Sequence, residues 1–152
     1  MGDLIKHQFR VTRRAIEQTL EGITPELASI IPEGFNNNIH WQLGHILKTA
    51  EFFLFFGEET LPENYQLFFG PGSKPAEWPE NVPSIKTLQQ QLKEQLERIE
   101  QVNVEKFNDK LPKPMIGNET FGEFAAFGAF HESLHLGQIQ AIKRLLQASR
   151  AK

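Results

Sequence analysis

Four stretches of this chain repeat their apolar residues every three to four positions, and none alternates them at a spacing of two. That periodicity constrains the fold more than any other feature. It puts one apolar stripe on each of four helices and leaves no half-buried strand to pair. The first stretch, about 3–20, aligns Ile5, Phe9, Thr12, Ile16 and Leu20. The second, about 38–57, follows the Asn36–Asn38 run that can cap it, aligns Ile39, Leu43, Ile46, Ala50 and Phe53, and stops at Gly57. The third, 84 to about 102, opens on Ser84 and aligns Ile85, Leu88, Leu92, Leu96 and Ile99. The fourth begins at Thr120-Phe-Gly-Glu123, a capping-box pattern, and runs to near 148, where Lys143, Arg144 and Arg150 suit the negative end of a helix dipole. A shorter helix start lies at Thr24-Pro25, with threonine as cap and proline in the first turn.

The expected fold is all-α: a four-helix bundle in one domain, 1–152, with long connections between helices 2–3 and 3–4. The first connection, 58–83, holds five prolines together with Tyr65, Phe68, Phe69 and Trp78. Those rings are costly to leave in water, so the segment should pack on the helices as a lid packs over a site. The second contains Pro112, Pro114 and Gly117 and reads as loop. Phe52, Phe53, Phe55 and Phe56 cover more than one face of the second helix, which predicts burial in a homodimer or beneath the 58–83 connection.

The net charge of −3, with no basic stripe, argues against a nucleic-acid partner. No apolar run approaches the ~20 residues of a membrane span. The first residues lack the apolar block of a secretory signal, so a cytoplasmic location is the expectation. The chain has no cysteine, which removes disulfides, thiolate ligands and a cysteine nucleophile.

On the fourth helix the seam positions are Phe121, Phe124, Gly128, His131, His135, Gln138, Ile142 and Leu145. The stripe is apolar at both ends and polar at three consecutive positions in its middle. Polar groups that lose water there need partners, either a metal ion or a hydrogen-bond network. Gly128 leaves space one turn before His131. Histidines four apart on a helix aim both rings at one point, as helical zinc sites do. His131-Glu132-Ser-Leu-His135 also satisfies the zinc-protease pattern, in which Glu132 would be the base. No Asp, Glu or His follows His135 to complete that site, and no strands exist to hold a peptide. Glu132 points off the seam, as a salt-bridging or solvated residue beside the site. A third ligand must come from upstream. His7 lies at the exposed chain start and His40 in a first helical turn, whereas His45 sits among Trp41, Leu43 and Phe52. His45 is the candidate.

The segments NNIHWQLGHI (37–46) and FHESLHLGQI (130–139), in that order and spacing, resemble the DinB-like superfamily of metal-dependent four-helix proteins. The resemblance implies a three-histidine site near one end of a bundle, with positions left for water or substrate. Residue by residue, its ligands fall on His45, His131 and His135. It also implies a metal-dependent enzyme, since characterised relatives include transferases and isomerases that use low-molecular-weight thiols. The expected function is therefore activation of a water or a thiol cosubstrate by one divalent ion (zinc, nickel or iron), in a thiol transferase or hydrolase acting on a small molecule. Glu132 and Gln138 are the candidate catalytic residues, Gln138 to orient a bound group or to hold His135. The competing expectation is a non-catalytic stress-response or binding protein whose metal is structural.

Overall fold

The computed structural model describes residues 1–150. The chain is mostly helical: α1 Gly2–Leu20, α2 Pro25–Ser29, α3 Ile39–Phe55, α4 Tyr65–Phe69, α5 Ile85–Gln101 and α6 Phe121–Arg150. Each expected cap forms. Thr24 accepts from the Leu27 N–H, Asn38 from Trp41 and Ser84 from Thr87. At the start of α6 the box is reciprocal: Thr120 Oγ1 accepts from the Glu123 N–H at 3.1 Å, and Glu123 Oε2 accepts from the Thr120 N–H at 3.0 Å.

Polar contacts between the long helices fix their directions. α1 runs parallel to α6, because Arg13 meets Glu132 and, further along both, Lys143 Nζ donates to the Thr19 carbonyl at 2.6 Å. α3 runs antiparallel to α6, with Gln42 against Gln138 and Phe53 against Phe124. α5 runs beside α3 in the same direction, Gln95 meeting the Leu47 carbonyl and Arg98 meeting Glu51. Lys143, expected to serve the end of its own helix, instead satisfies the last carbonyls of α1.

The apolar interior is divided in two. One cluster gathers Ile16, Leu43, Ile46, Phe69, Leu88, Leu92 and Ile139; the other gathers Ile5, Phe9, Phe53, Ile99, Phe107 and Phe124. Between them, at one height on all four long helices, lie buried polar side chains: Arg13, Glu51, Gln95 and Glu132, with His45 beside them. Arg13 donates to Glu132 Oε1 through Nε at 2.9 Å, to the Leu92 carbonyl and to Gln95 Oε1; Gln95 Nε2 donates to Glu51 Oε2 at 2.7 Å. The chain of bonds thus crosses from α6 through α1 and α5 to α3.

Three expectations need correction. The second long connection carries a two-stranded antiparallel ribbon, β1 Lys110–Met115 and β2 Asn118–Thr120. Its turn residues Ile116 and Gly117 both have positive φ, 49° and 75°, the geometry that matches strand twist in a two-residue hairpin. Alternate prolines hid the strand, but an edge can spare their missing N–H groups. At the far end of α6, Leu145 is exposed and Leu146 is buried in its place. A seam spaced at 3.5 drifts about 20° per heptad against a straight helix of 3.6, and the drift accumulates over the length of α6. Finally, the phenylalanine cluster is not a uniform buried face. Phe53 and Phe55 are buried and Phe52 is half-buried, packed edge-on against Phe53 and Phe124, while Phe56 is exposed. Phe52 lines a cavity with Gln66 and Pro71 of the 58–83 connection, and Phe56 is left uncovered. The cluster's other neighbours are α6, the ribbon residues Leu111 and Met115, and the Arg98 guanidinium 3.9 Å above the Phe55 ring.

Candidate metal centre

His131 and His135 stand one turn apart on α6 and face α3, which brings His45 to meet them. One ring nitrogen from each of the three can be chosen so that all lie within 4.8 Å of one another. Among the described residues no further His, Asp or Glu joins the group. The site lies between the two apolar clusters, in the middle third of α6, rather than at an end of the helices.

The other ring nitrogens are committed elsewhere. His45 Nδ1 lies 2.7 Å from the Phe69 carbonyl, so it carries the proton and donates. His135 Nδ1 lies 2.6 Å from Gln42 Oε1. The orientation of that amide is settled by its own partners: Gln42 Nε2 donates to Asn37 Oδ1 at 3.0 Å and to Gln138 Oε1 at 2.7 Å, leaving Oε1 to accept. His131 Nδ1 faces Thr49 Oγ1 at 3.5 Å, and that hydroxyl gives its own proton to the His45 carbonyl at 2.7 Å. In each histidine the Nε2 lone pair is therefore the free one. His131 Nε2 and His135 Nε2 stand 3.1 Å apart with lone pairs facing, an arrangement that a shared cation relieves. This is the pattern of metal-ligating histidines, whose second nitrogen is fixed by a carbonyl or amide.

Burial lowers the pKa of all three. It brings His45 to about 4, opposed by the Phe69 carbonyl, and His135 to about 3, assisted by the neighbouring histidines; His131 is lowered by burial alone. The imidazoles are neutral at pH 7 and able to ligate.

The surroundings come from elements far apart in sequence. Trp41, one turn before His45, stacks on its ring at 4.5 Å and donates through Nε1 to Ser73. The 58–83 connection packs as expected, with Tyr65, Phe68 and Phe69 buried and Trp78 half-buried. It reaches the site through α4, because Phe69 supplies the carbonyl for His45 and lays its ring on Gly44, where a Cβ would collide with it. The space left by Gly128 is filled by Phe53, whose Cβ would stand 2.7 Å from an added Cβ. His45 is 4% exposed, while His131 and His135 are partly exposed, so solvent reaches the group at its two α6 histidines.

The remaining candidates fall outside the group. His7 is exposed, and His40 bonds the Pro83 carbonyl at 2.7 Å. Gln138 is exposed and touches Gln42 rather than His135. Glu132 faces α1, is 2% exposed and pairs with Arg13; it is salt-bridged but not solvated. Burial raises its pKa against the pull of Arg13, and its Oε2 has no hydrogen-bonding partner. Gln42, Asn37 and Thr49 were not expected. Only the polar Gln42 at a fully buried position within WQLGH marked one of them, and that burial was not visible before α6 was placed against α3.

Residues 8–139 match the family model of the DinB superfamily. The fold is similar to the crystal structure of a conserved protein from Enterococcus faecalis, with a TM-score of 0.71 and 14% identity over 97% of this chain and 98% of that one. No curated protein matches the sequence. No described helix is long and apolar enough to cross a membrane.

Proposed function

The chain belongs to the DinB superfamily, and we propose that it is a four-helix-bundle metalloenzyme whose His45, His131 and His135 hold one divalent transition ion. The observation that carries this reading is the convergence of three neutral rings through Nε2, two of them 3.1 Å apart, with every Nδ1 already turned to an acceptor or hydroxyl. Imidazole nitrogen suits zinc, nickel and iron alike. When bound, such an ion supplies the Lewis acidity that makes a water or a thiol nucleophilic near neutral pH.

The protein's own residues do the positioning. Gln42 and the Phe69 carbonyl hold the rings, and Trp41 walls one side. Gln138 steadies the Gln42 amide at the exposed rim, where a substrate would enter. Glu132, committed to Arg13, fixes α6 against α1 and so sets the height of His131. With no cysteine in the chain, thiol chemistry would need a low-molecular-weight thiol as cosubstrate, in the cytoplasm, where such thiols stay reduced. The reaction class is thiol transfer or hydrolysis on a small molecule.

A purely structural metal is the second reading. Closed structural sites use four protein ligands, and here three converge with two of them partly exposed, which favours a working site. Metal analysis of untagged protein should find about one ion per chain, largely lost in His45→Ala, His131→Ala or His135→Ala and kept in His7→Ala and His40→Ala. Chelation should leave helical content intact, and a small thiol should perturb the spectrum of the cobalt-substituted protein. Full occupancy in His45→Ala would end the three-histidine reading; an apo chain that unfolds, with a cobalt site blind to every small ligand, would favour the structural one.

A further inference from the structure

Lys48 is the one lysine or arginine on α3, and its charge is poorly matched. Among the described residues its Nζ makes no hydrogen bond, and its ion-pair partner, Glu59 Oε1, lies 3.9 Å away, too far for one. Lysine ordinarily packs its stem and keeps its head in water, yet this side chain is only 16% exposed. Covering an ammonium costs free energy unless a partner takes the place of the water. The other charges on α3 and in the middle of α6 are already met. Glu51 is held by Arg98 and Gln95, and Glu132 by Arg13.

Lys48 lines a cavity of about 210 Å³ with Thr49, Phe52, Gln66 and Pro71. Its place on α3 ties that cavity to the three histidines. Positions 45, 48, 49 and 52 share one helix face, so Lys48 and Thr49 stand one turn beyond His45, roughly 5 Å along the axis. Thr49 Oγ1 is also 3.5 Å from His131 Nδ1, which makes it the wall between cavity and histidines. The opposite wall depends on a glycine. Gly70, at the end of α4, has an ordinary φ of −66°, so its backbone conformation does not call for glycine. A Cβ there would collide with both the carbonyl and the side-chain amide of Gln66. The missing side chain lets that amide lie back over the end of α4, where among the described residues it has no hydrogen-bond partner.

We propose that this cavity is the carboxylate subsite of the metal centre. On the three-histidine reading above, the substrate is a small molecule whose carboxylate lies about one helical turn from its reacting atom. Lys48 and the Gln66 amide donate to the carboxylate, and Phe52 and Pro71 cover the carbons between. One positive charge and one amide match a carboxylate. A phosphate, with up to two charges and three free oxygens, would be left short of both. Glu59, at the rim, is the anion that the substrate replaces beside Lys48.

Titrating the cobalt-loaded protein with β-mercaptopropionate and with its uncharged analogue β-mercaptopropionamide separates the subsite from the ion. The wild type should bind the acid roughly 10-fold or more tightly than the amide, as one charged hydrogen bond allows. Lys48→Met should lose that preference while cobalt content, helical content and amide binding stay as they are. Glu59→Gln, a change at the surface, should bind the acid more tightly than wild type. A preference that survives in Lys48→Met would mean that the carboxylate sits on the ion instead. That result, weaker acid binding in Glu59→Gln, or a cobalt-loaded chain that binds acid and amide alike or not at all, would overturn the subsite and leave the metal centre standing. A chain that takes up no cobalt would end both.

Discussion

Gln42 Oε1 stands 2.6 Å from His135 Nδ1, and Gln42 is fully buried. An amide in that place does two things. It fixes which nitrogen of His135 carries the proton, and it links the ring through Asn37 to the start of α3 and through Gln138 to the outside of α6. Replacing Gln42 with leucine keeps the volume but leaves His135 free to rotate and to change tautomer. Partners of this kind are worth about 10–100-fold in metal affinity. Titration against a chromophoric chelator should show that loss in Gln42→Leu, with circular dichroism unchanged. An unaltered affinity would mean that the hydrogen bond does not set the ring.

Gly44 makes a second test, because it couples the lid to the ligand. The Phe69 ring occupies the place of a Cβ at position 44, and the Phe69 carbonyl receives the His45 proton. Gly44→Ala should push α4 outward, cost about 1–3 kcal/mol as other overpacking substitutions do, and weaken metal binding together with stability. Urea unfolding and metal titration on the same variant would separate the outcomes. A variant as stable and as tight as wild type would show that Phe69 is not held against α3.

Much of this was readable in the sequence, and the parts that were not share a cause. Caps and apolar stripes are local, so Asn38, Ser84 and Thr120 and the stripes behind them were legible residue by residue. The His131–His135 pair was legible because both ends lie on one helix. The residues that hold those rings come from 82 and 93 positions away, and the partner of Glu132 from 119. No periodicity carries such a distance. Glu132 shows the limit well: its angle off the histidine face was correct, but that direction points into α1 rather than into water. The β1–β2 ribbon was missed for the opposite reason, since Pro112 and Pro114 broke the local signal of a strand that is all edge.

Arg13 and Glu132 are 5% and 2% exposed at their side chains, so neither charge has water to fall back on. Removing one partner of such a pair typically costs about 3–5 kcal/mol. Arg13→Met should show a loss of that size in denaturant unfolding, because Glu132 would be left buried without its partner and would have to stay charged or take up a proton. The double variant Arg13→Met/Glu132→Leu should recover most of it. Equal losses in single and double variants would mean that the pair contributes through packing and not through charge.

Glu51 offers the clearest dependence on pH. Burial is the largest influence on its carboxyl and pushes the pKa up. The Gln95 amide, the Thr60 N–H and the Arg98 guanidinium together outweigh that and hold it below its ordinary 4.5. All four contacts are made to the carboxylate: Oε1 accepts from Thr60 N, Thr60 Oγ1 and Arg98 at 2.9, 3.2 and 2.8 Å, and Oε2 accepts from Gln95. A folded pKa below the unfolded one means that the unfolded chain binds the proton more readily. The stabilisation is therefore complete above the unfolded value and is lost as the pH falls through the folded one. Glu51→Gln should be less stable than wild type at pH 7, by an amount that stays constant down to about pH 5 and then shrinks toward zero in more acidic solution. Urea unfolding of both proteins across that range measures the gap directly. A gap that persisted unchanged at the acidic end, or widened there, would show that the carboxylate of Glu51 is not the group whose charge these donors hold.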